Sequence, residues 1–260
     1  MGGGVLLLAS DFGLDSVYTG QMRAAALRAA PGVAVHDLWH GVPAHRVDLA
    51  AFLLPRLWCQ GPPGAVVAAV IDPGVGTARR ALAVRRVPFL LVGPDNGLFT
   101  AALEAGAEAR LLEPARLGLA GLSTTFHGRD LFAPAAARLA AGTLAFTDLP
   151  HLPGAPPVRL ALPGAERLPG GGLRGEVVWA DRFGNLVTSL PGEALPPAGW
   201  RLRIGGRTLP GLRTYGDVAP GDLLALVGSF GLLEAACREG SAQALLGLEP
   251  GAEAVVERRP

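Results

Sequence analysis

Lysine is absent from this chain of 260 residues, and all 23 of its basic residues are arginine. Acidic residues number 22, so the formal net charge is only +1 and no global field attracts nucleic acid or an anionic membrane. Charged residues make up 17% of the sequence and hydrophobic residues 50%, a balance typical of a well-buried globular protein. We therefore expect no nucleic acid and no membrane among its partners.

Cysteine is scarce, and long apolar runs are missing. The two cysteines, Cys59 and Cys237, match no metal-binding or redox spacing, and we expect both to be buried as small hydrophobic side chains in a reducing cytosol. No apolar run reaches the roughly 20 residues of a membrane span. The N-terminal run Val5–Ala9 is too short for a signal peptide and lacks its basic flank, so we predict a cytoplasmic protein.

Strand and helix patterns alternate through the first half of the sequence. Apolar, β-branched runs predict strands at Val5–Ala9, Val33–Leu38, Ala65–Ile71, Ala81–Val84 and Phe89–Val92. Helical spacing of apolar residues predicts helices at Gly20–Ala30, His45–Trp58 and Leu131–Ala141. Fully apolar strands indicate a mostly parallel sheet with helices on both faces, which places this half in the α/β class.

The pattern changes after residue 150, where proline and glycine become frequent. Beyond this stretch, short runs predict strands at Glu176–Trp179, Leu186–Leu190, Trp200–Ile204, Arg207–Leu212, Asp222–Val227 and Ala254–Arg258. Ala242–Leu246 is the one segment there with room for a helix. We predict a smaller antiparallel β domain that is closed or nearly closed like a barrel. The predicted boundaries are an α/β domain at 1–155, a linker at 156–171 and a β domain at 172–260.

Three loops of the α/β half carry the polar residues that stand next to predicted strands and helices. Ligands of open α/β sheets bind at the carboxyl ends of the strands, so these loops form the candidate binding region. They are Ser10–Gly13 after the first strand, Asp72–Arg80 after the most apolar strand, and Ser123–Asp130 before a helix.

Each of these motifs, taken alone, also has a simpler interpretation that does not require a function. Asp11–Gly13 matches the magnesium-binding triplet of protein kinases, but no other kinase motif is present, and an Asp and a Gly at a strand end need no function. His36, His40 and His45 suggest a metal site. However, His36 and His40 lie in a strand and the turn after it, and their spacing does not bring them together with a carboxylate. We therefore predict no metal ligands.

Two other features resist a purely structural explanation. His127 stands among hydroxyl residues, an arginine and an aspartate rather than on an apolar stripe. The segment Asp181–Asn185 has the composition of a surface hairpin turn, which explains its Asp, Gly and Asn. A turn does not explain Phe183, whereas a flat ligand stacked on its ring would.

Six segments, in this order and at about this spacing, resemble the S-adenosylmethionine (SAM) hydroxide adenosyltransferase family, relatives of the fluorinase and chlorinase. They are Asp11–Gly13, Asp72–Gly76, Gly93–Gly97, Thr125–Asp130, Asp181–Asn185 and Gly228-Ser229. The resemblance covers nearly the whole chain. It implies an α/β N-domain, a small β-barrel C-domain and a homotrimer whose sites lie between one subunit's N-domain and its neighbour's C-domain.

The resemblance also implies roles for individual residues. Asp72, Arg79 and His127 would handle the attacking water, with Arg80 as the adjacent alternative to Arg79. Substrate contacts would come from residues of both halves. Asp11 would bind the ribose diol and Thr125 would line the ribose. The methionine end would contact Asp181, Ser229 and Glu234, and the adenine would contact Phe183, Asn185 and Tyr215.

The implied reaction is hydrolysis of SAM to adenosine and L-methionine, with SAM as substrate and no cofactor. The sulfonium makes methionine a good leaving group, so attack at the ribose 5′ carbon requires an oriented nucleophile rather than an acid. A histidine can take or orient the water's proton, Arg79 can stabilise developing hydroxide, and Asp72 can fix Arg79 or the water. This chemistry requires no metal.

Three alternatives accompany this prediction. Halogenation at the same carbon is disfavoured because Asp72 would repel a halide, and the resemblance places tyrosine at this position in halogenating relatives. Methyl transfer would need a Gly-rich first loop, which the segment Ser10–Asp15 does not supply. A non-catalytic sensor of adenosine or SAM stays open, although a sensor has no use for a set of water-handling residues.

Overall fold

The computed structural model describes residues 4–196 and 199–258. The chain divides into two compact units, Met1–Ala161 and Leu162–Pro260. Within the described ranges, no helix combines the length and the apolar character that crossing a membrane requires.

The first unit is built on a mostly parallel six-stranded sheet, which confirms the predicted α/β class. Its strands are β1 (Val5–Ser10), β2 (Ala34–Trp39), β3 (Val66–Val70), β4 (Ala81–Arg86), β5 (Phe89–Pro94) and β6 (Glu108–Leu111). They are arranged in the order β2-β1-β3-β5-β4-β6. The pairs β1–β2, β1–β3 and β3–β5 are parallel, whereas β4 runs antiparallel to both β5 and β6.

Helices cover both faces of this sheet because the central strands are apolar on both sides. The helices are α1 (Val17–Ala29), α2 (Val47–Trp58), α3 (Thr100–Glu104) and α4 (Ala133–Ala140). Successive side chains of a strand point to opposite faces. Leu6 and Leu8 of β1 accordingly pack in the core that contains α1 and α4, whereas Leu7 packs in the core that contains α2 and α3. All five residues of β3 are buried.

Local details of this unit differ from the sequence-based prediction. The helix predicted at Leu131–Ala141 begins earlier, with a π-helical turn at Gly128–Phe132 that continues into α4. The short elements α3 and β6 were not predicted, and every residue of β6 is half-buried, so it lacks a clear apolar pattern. The expectation for Cys59 was wrong, because its position at the end of α2 leaves it exposed, while Cys237 is buried as expected.

The second unit is an antiparallel sheet of eight strands. They are β7 (Glu166–Arg167), β8 (Leu173–Ala180), β9 (Leu186–Pro191), β10 (Trp200–Ile204), β11 (Arg207–Pro210), β12 (Leu223–Val227), β13 (Leu232–Cys237) and β14 (Glu253–Arg258). The strand order is β11-β10-β14-β8-β9-β13-β12, with β7 paired to β8. A bridge between Gly211 and Ala225 joins the two ends, so the sheet is a nearly closed barrel as predicted.

This unit also contains an α-helix, and two of its strands, β7 and β13, were not predicted. The predicted helix α5 (Ala242–Leu246) is present: the Ser241 hydroxyl accepts the Ala244 N–H at its start, and the left-handed Gly247 ends it. Strand β13 was not predicted although all six of its residues are buried. Its central Glu234 interrupts the apolar run that would have revealed it.

The segment predicted as a linker at 156–171 contains the boundary between the units. Before the boundary, the Leu160 N–H donates to Thr100 Oγ1 (2.9 Å), which fixes this part of the chain to the first unit. After the boundary, the short strand β7 pairs with β8 of the second unit.

Candidate active site

Asp72, Arg79 and His127 form one hydrogen-bonded cluster in the first unit. Asp72 follows β3, Arg79 precedes β4, and His127 immediately precedes the π-helical turn. Arg79 Nε donates to Asp72 Oδ1 (2.8 Å), Arg79 Nη2 donates to Asp72 Oδ2, and Nη2 lies 2.8 Å from His127 Nδ1. The Asp72 and Arg79 side chains are only 5% and 10% exposed. The fold thus gathers three residues that the sequence separates by up to 55 positions, on neighbouring loops.

The bond from Arg79 fixes the tautomer of His127. A guanidinium has donors and no acceptor, so Nδ1 of His127 must accept and the proton of the neutral ring is on Nε2. Burial, followed by the positive charge of Arg79, lowers the pKa of His127 from its ordinary value. At neutral pH the imidazole is therefore uncharged and offers Nε2–H as a donor.

The adjacent arginines have different partners. Arg80 Nε donates to Asp95 Oδ2 (2.6 Å), and its two Nη atoms donate to the carbonyl oxygens of Ala155 (2.7 Å) and Pro156 (2.8 Å). Arg79, not Arg80, lies with Asp72 and His127.

A glycine brings the loops of the cluster together. Gly76 has a left-handed φ of +78°, and a Cβ there would lie 2.5 Å from the carbonyl oxygen of Thr124. The loop after β3 can therefore approach the loop before His127 only with glycine at this position. Thr125, predicted to line the ribose, lies in this second loop, with its hydroxyl 3.1 Å from that of Ser123.

The loop before His127 is anchored by a residue whose role the sequence did not reveal. Asp130 accepts the Ser123 N–H (2.8 Å) and pairs with Arg129 (2.6 Å). The pKa of Asp130 is lowered, chiefly by the hydrogen bond from Arg129. Asp130 and Arg129 thus close the loop around Thr125 and set the position from which His127 projects.

A cavity of about 350 Å³ adjoins this cluster in the first unit. It is lined by Asp11, Phe12, Ser16, Tyr18, Ala44, His45, Asp72 and Val75. Asp11 Oδ2 accepts the His45 N–H (2.9 Å), and His45 has the uncommon left-handed φ of +66°. The structure therefore brings Asp11 and Asp72, predicted for ribose and for water, to one cavity. Ser16, Tyr18 and His45 were not predicted, since only the pairing of distant loops places them there.

In the second unit, Asp181 shapes the turn between β8 and β9. Its Oδ1 accepts the backbone N–H groups of Phe183 (2.8 Å) and Asn185 (2.9 Å), and its Oδ2 accepts Asn185 Nδ2 (3.0 Å). This turn leaves Phe183 75% exposed, so a ligand can reach its ring. Asn185 beside it is buried.

Tyr215 and Glu234 are also joined in this unit. The Tyr215 hydroxyl donates to Glu234 Oε1 (2.5 Å), and Glu234 is only 5% exposed. Burial raises the pKa of Glu234, and the negative charge of Asp181 raises it further. Burial and the same two carboxylates raise the pKa of Tyr215. A Cβ on Gly228 would lie 2.3 Å from Glu234 Oε2, so the turn that carries the exposed Ser229 packs directly on this acid.

One of the histidines considered as metal ligands, His40, has other partners. His40 is bonded at both ring nitrogens, to Ser10 Oγ (2.7 Å) and to Asp37 Oδ1 (3.0 Å). Across residues 4–196 and 199–258, no three His, Cys, Asp or Glu side chains are grouped as metal ligands.

By fold and site, this is a two-unit protein whose α/β part carries a polar cluster at its strand ends and whose β part presents an exposed aromatic ring beside a buried acid. Sequence profiles of the SAM hydroxide adenosyltransferase N-terminal and C-terminal domains match residues 6–149 and 175–255. The chain therefore belongs to the SAM hydroxide adenosyltransferase family.

Individual relatives match most of the chain. An (R)-S-adenosyl-L-methionine hydrolase from Thermus thermophilus is 45% identical over 251 residues, covering 93% of this chain and 95% of that one. A hydrolase of the same name from Salinispora tropica is 40% identical over 246 residues, covering 93% of each chain. The crystal structure of an uncharacterized conserved protein from Thermotoga maritima has a TM-score of 0.86 at 32% identity, covering 97% of this chain and 100% of that one.

Proposed function

We propose that this protein hydrolyses SAM to adenosine and L-methionine by attack of water on the ribose 5′ carbon. The observation that carries the proposal is the Asp72–Arg79–His127 cluster, whose Asp72 shares a cavity with Asp11. Relatives that are named (R)-S-adenosyl-L-methionine hydrolase support the same reaction.

The bonding of His127 refines its part in the reaction. As the water oxygen bonds to the 5′ carbon, the carbon–sulfur bond breaks, its electron pair neutralises the sulfonium, and one water proton is released. Since Nδ1 is occupied by Arg79, His127 orients the water by donating from Nε2. Asp72 lines the cavity and retains a second lone pair on each oxygen, so its carboxylate is the group that receives the proton.

The metal-free mechanism is supported by the donor set of the cluster. Both carboxylate oxygens of Asp72 accept from one guanidinium, which supplies the positive charge that a Lewis acid would otherwise provide. We propose SAM as the substrate, with no metal and no cofactor.

Substrate recognition is shared by groups of both units. The Asp11 carboxylate can accept from both hydroxyls of the ribose diol, beside Thr125. The exposed Phe183 ring, with Asn185 and Tyr215, would receive the adenine. At the methionine end, Asp181 and Glu234 would face the ammonium group and Ser229 the carboxylate. An ammonium group would stabilise the ionised form of Glu234, which burial alone disfavours.

We further propose a cytoplasmic homotrimer in which neighbouring subunits complete each other's sites. The family resemblance suggests the assembly. Tyr18, which lines the cavity, and Leu14 and Val17, which lie close to it in sequence, are exposed apolar side chains that favour a covering partner. Two free cysteines are in keeping with a reducing compartment. The assembly can be tested by mixing inactive His127→Ala and Asp181→Ala chains after partial unfolding and reassembly. Recovered activity is expected, and its absence would contradict shared sites.

A product assay tests the function directly. Purified protein incubated with SAM should release adenosine and methionine in equal amounts, with no loss of rate in EDTA. Binding without turnover would indicate a sensor, halide-dependent halo-deoxyadenosine a halogenase, and S-adenosylhomocysteine a methyltransferase. Loss of activity on chelation that zinc restores would contradict the metal-free mechanism.

The relatives' name adds a stereochemical test. Because "L" already specifies the α-carbon, "(R)" refers to the sulfonium centre. Samples enriched in either sulfonium epimer should therefore be consumed at different rates, with the (R) form faster. Equal rates for both epimers would contradict this extension.

A further inference from the structure

A second series of hydrogen-bonded side chains, which we call the His40 chain, contacts the loop Ser10–Gly13 that carries Asp11. Ser10 Oγ is 2.7 Å from His40 Nδ1, His40 Nε2 is 3.0 Å from Asp37 Oδ1, and Arg23 Nε donates to the same Asp37 oxygen (2.9 Å). The four residues come from α1, from β1 and β2, and from the turn after β2. Ser10 and His40 are 0% and 1% exposed, so this end of the His40 chain is internal, whereas the Asp37 and Arg23 side chains reach the surface.

The direction of each hydrogen bond follows from the donors available. Burial raises the pKa of Asp37, but the hydrogen bonds from Arg23 and His40 outweigh it and lower the pKa overall, so Asp37 is an ionised acceptor. His40 therefore donates from Nε2, and burial, which lowers its pKa, keeps the ring neutral. Its Nδ1 must then accept from the Ser10 hydroxyl, whose oxygen in turn accepts the Phe12 N–H (3.2 Å). The Ser10 hydroxyl and the His40 ring N–H thus each meet an acceptor.

The arrangement contains serine, histidine and aspartate, but it is not a nucleophilic triad. A serine nucleophile must reach its substrate, and Ser10 has no exposed surface. What the His40 chain does contact is the loop that follows Ser10.

His40 holds this loop at both of its ends. Its ring binds Ser10, where the loop begins, and its carbonyl oxygen accepts the Gly13 N–H (2.9 Å), where the loop ends. Gly13 has a left-handed φ of +82°, which lets the chain turn back to this carbonyl. Asp11 lies between the two attachments, with its carboxylate facing the cavity.

We infer that His40 is a positioning residue that acts through Ser10 to hold Asp11 in the orientation that receives the ribose diol. This inference rests on the proposed function, because it assumes that Asp11 binds ribose. It assigns His40 to the binding of substrate and not to the chemical step.

Two amide substitutions at His40 separate its two bonds. An Asn side chain can place its oxygen near the Nδ1 position and accept from Ser10, whereas a Gln side chain reaches the Nε2 position and bonds to Asp37 alone. His40→Gln should therefore raise KM for SAM about tenfold, the loss expected for one buried hydrogen bond, with kcat changed less than about twofold. His40→Asn should raise KM less, although both variants lose one bond and should lose similar thermal stability.

Ser10→Ala gives an independent measurement if the His40 variants do not fold. It should raise KM as His40→Gln does, and the double variant should show no further increase, because both changes break the same link. Equal KM values for His40→Asn and His40→Gln, or a fall in kcat at unchanged KM, would overturn the inference.

Amide hydrogen exchange in the substrate-free protein distinguishes failure of this inference from failure of the proposed function. The Phe12 and Gly13 amides, which donate to Ser10 and His40, should exchange at least about tenfold faster in His40→Gln than in His40→Asn. Unchanged exchange would overturn the positioning role whatever the protein catalyses. Faster exchange in a protein that does not hydrolyse SAM would leave the loop anchor intact and overturn the proposed function instead.

Discussion

Three acids near the candidate site of the first unit and two acids of the second unit, Asp181 and Glu234, are held in different ways. In the first unit, Asp72 is paired with Arg79, Asp95 with Arg80 and Asp130 with Arg129, so each of these three carboxylates meets a guanidinium. In the second unit, Asp181 is held by backbone N–H groups and the Asn185 amide, and Glu234 by the Tyr215 hydroxyl, which are all neutral donors.

This difference indicates that the two units contribute differently to the proposed reaction. Paired charges in the first unit are fixed before substrate arrives, as an environment that orients and polarises water requires. The hydrogen bonds to Asp181 and Glu234 come from neutral groups and not from a cation, and Glu234 is buried. Such acids favour a cationic ligand, and SAM carries both an ammonium and a sulfonium. Substitutions in each unit test this difference.

The largest effect is expected from breaking the fixed pair in the first unit. Arg79→Met should lower kcat by about 10²–10³, because it removes the charge beside the water and leaves the buried Asp72 unpaired. Arg80→Met is the matched control: it should lower the melting temperature but leave kcat within about threefold, since Arg80 bonds to Asp95 and to carbonyl oxygens. Steady-state kinetics and thermal melts of both variants check this. Equal losses of kcat would show that the two arginines are not functionally distinct.

A smaller effect is expected on binding by the first unit. Asp11→Ala should weaken adenosine binding by roughly 1.5–3 kcal/mol, the range for a hydrogen bond to a charged group. The exposed Asp15, four residues away, provides the control, and Asp15→Ala should bind adenosine like the unchanged protein. Isothermal calorimetry measures both. Unaltered affinity of Asp11→Ala for adenosine would contradict the assignment of Asp11 to the ribose. It would not contradict the roles proposed for Asp72, Arg79 and His127.

The pH dependence of the first unit follows from His127. Its pKa is lowered, so the neutral ring persists below the ordinary value of 6.5, and kcat/KM should stay level through pH 6.5 before falling at lower pH. His127→Gln keeps an N–H donor near the Nε2 position and should retain part of the activity while losing this decline. An unchanged acidic limb in the variant would mean that another group titrates.

The smallest effect is expected in the second unit, on stability. The pKa of Glu234 in the folded protein is raised above its ordinary value of 4.5. Between these two pKa values the folded protein keeps a proton that the unfolded chain has released. The free energy of unfolding therefore falls as the pH rises through this range. Glu234→Gln removes this fall while keeping an acceptor for Tyr215, so the melting transition at pH 7 should rise by a few degrees. Scanning calorimetry from pH 4 to 8 tests it. A lower transition at pH 7 would contradict the unbalanced charge on which the comparison of units depends.

Parts of this picture could be predicted from the sequence because local pattern determines them. Strands β1 and β3 are buried on both faces, so their composition alone reveals them. Strand β13 is equally buried, but Glu234 interrupts its pattern, and the reason that an acid is tolerated there is a hydroxyl 19 residues away. The family resemblance supplied roles for site residues that composition and spacing could not.

Other features depend on contacts that no local pattern contains. Arg79 and Arg80 are adjacent and identical, and only the course of the loop directs one to Asp72 and the other to Asp95. The tautomer of His127 depends on a residue 48 positions away. His40 was considered only as a metal ligand, because its link to Ser10 exists only once β1 and β2 pair.

The attachment of Arg80 determines where the chain can be cut to prepare the first unit alone. A shortened protein that ends at residue 155, where composition suggested a boundary, would lose the Pro156 carbonyl bound to Arg80 and the Val158 N–H bound to Asp95 (2.8 Å). It would also lose the Leu160 side chain, which packs against Gly97. An expression fragment should therefore extend through Ala161, so that Arg80, the neighbour of Arg79, keeps its hydrogen-bond partners.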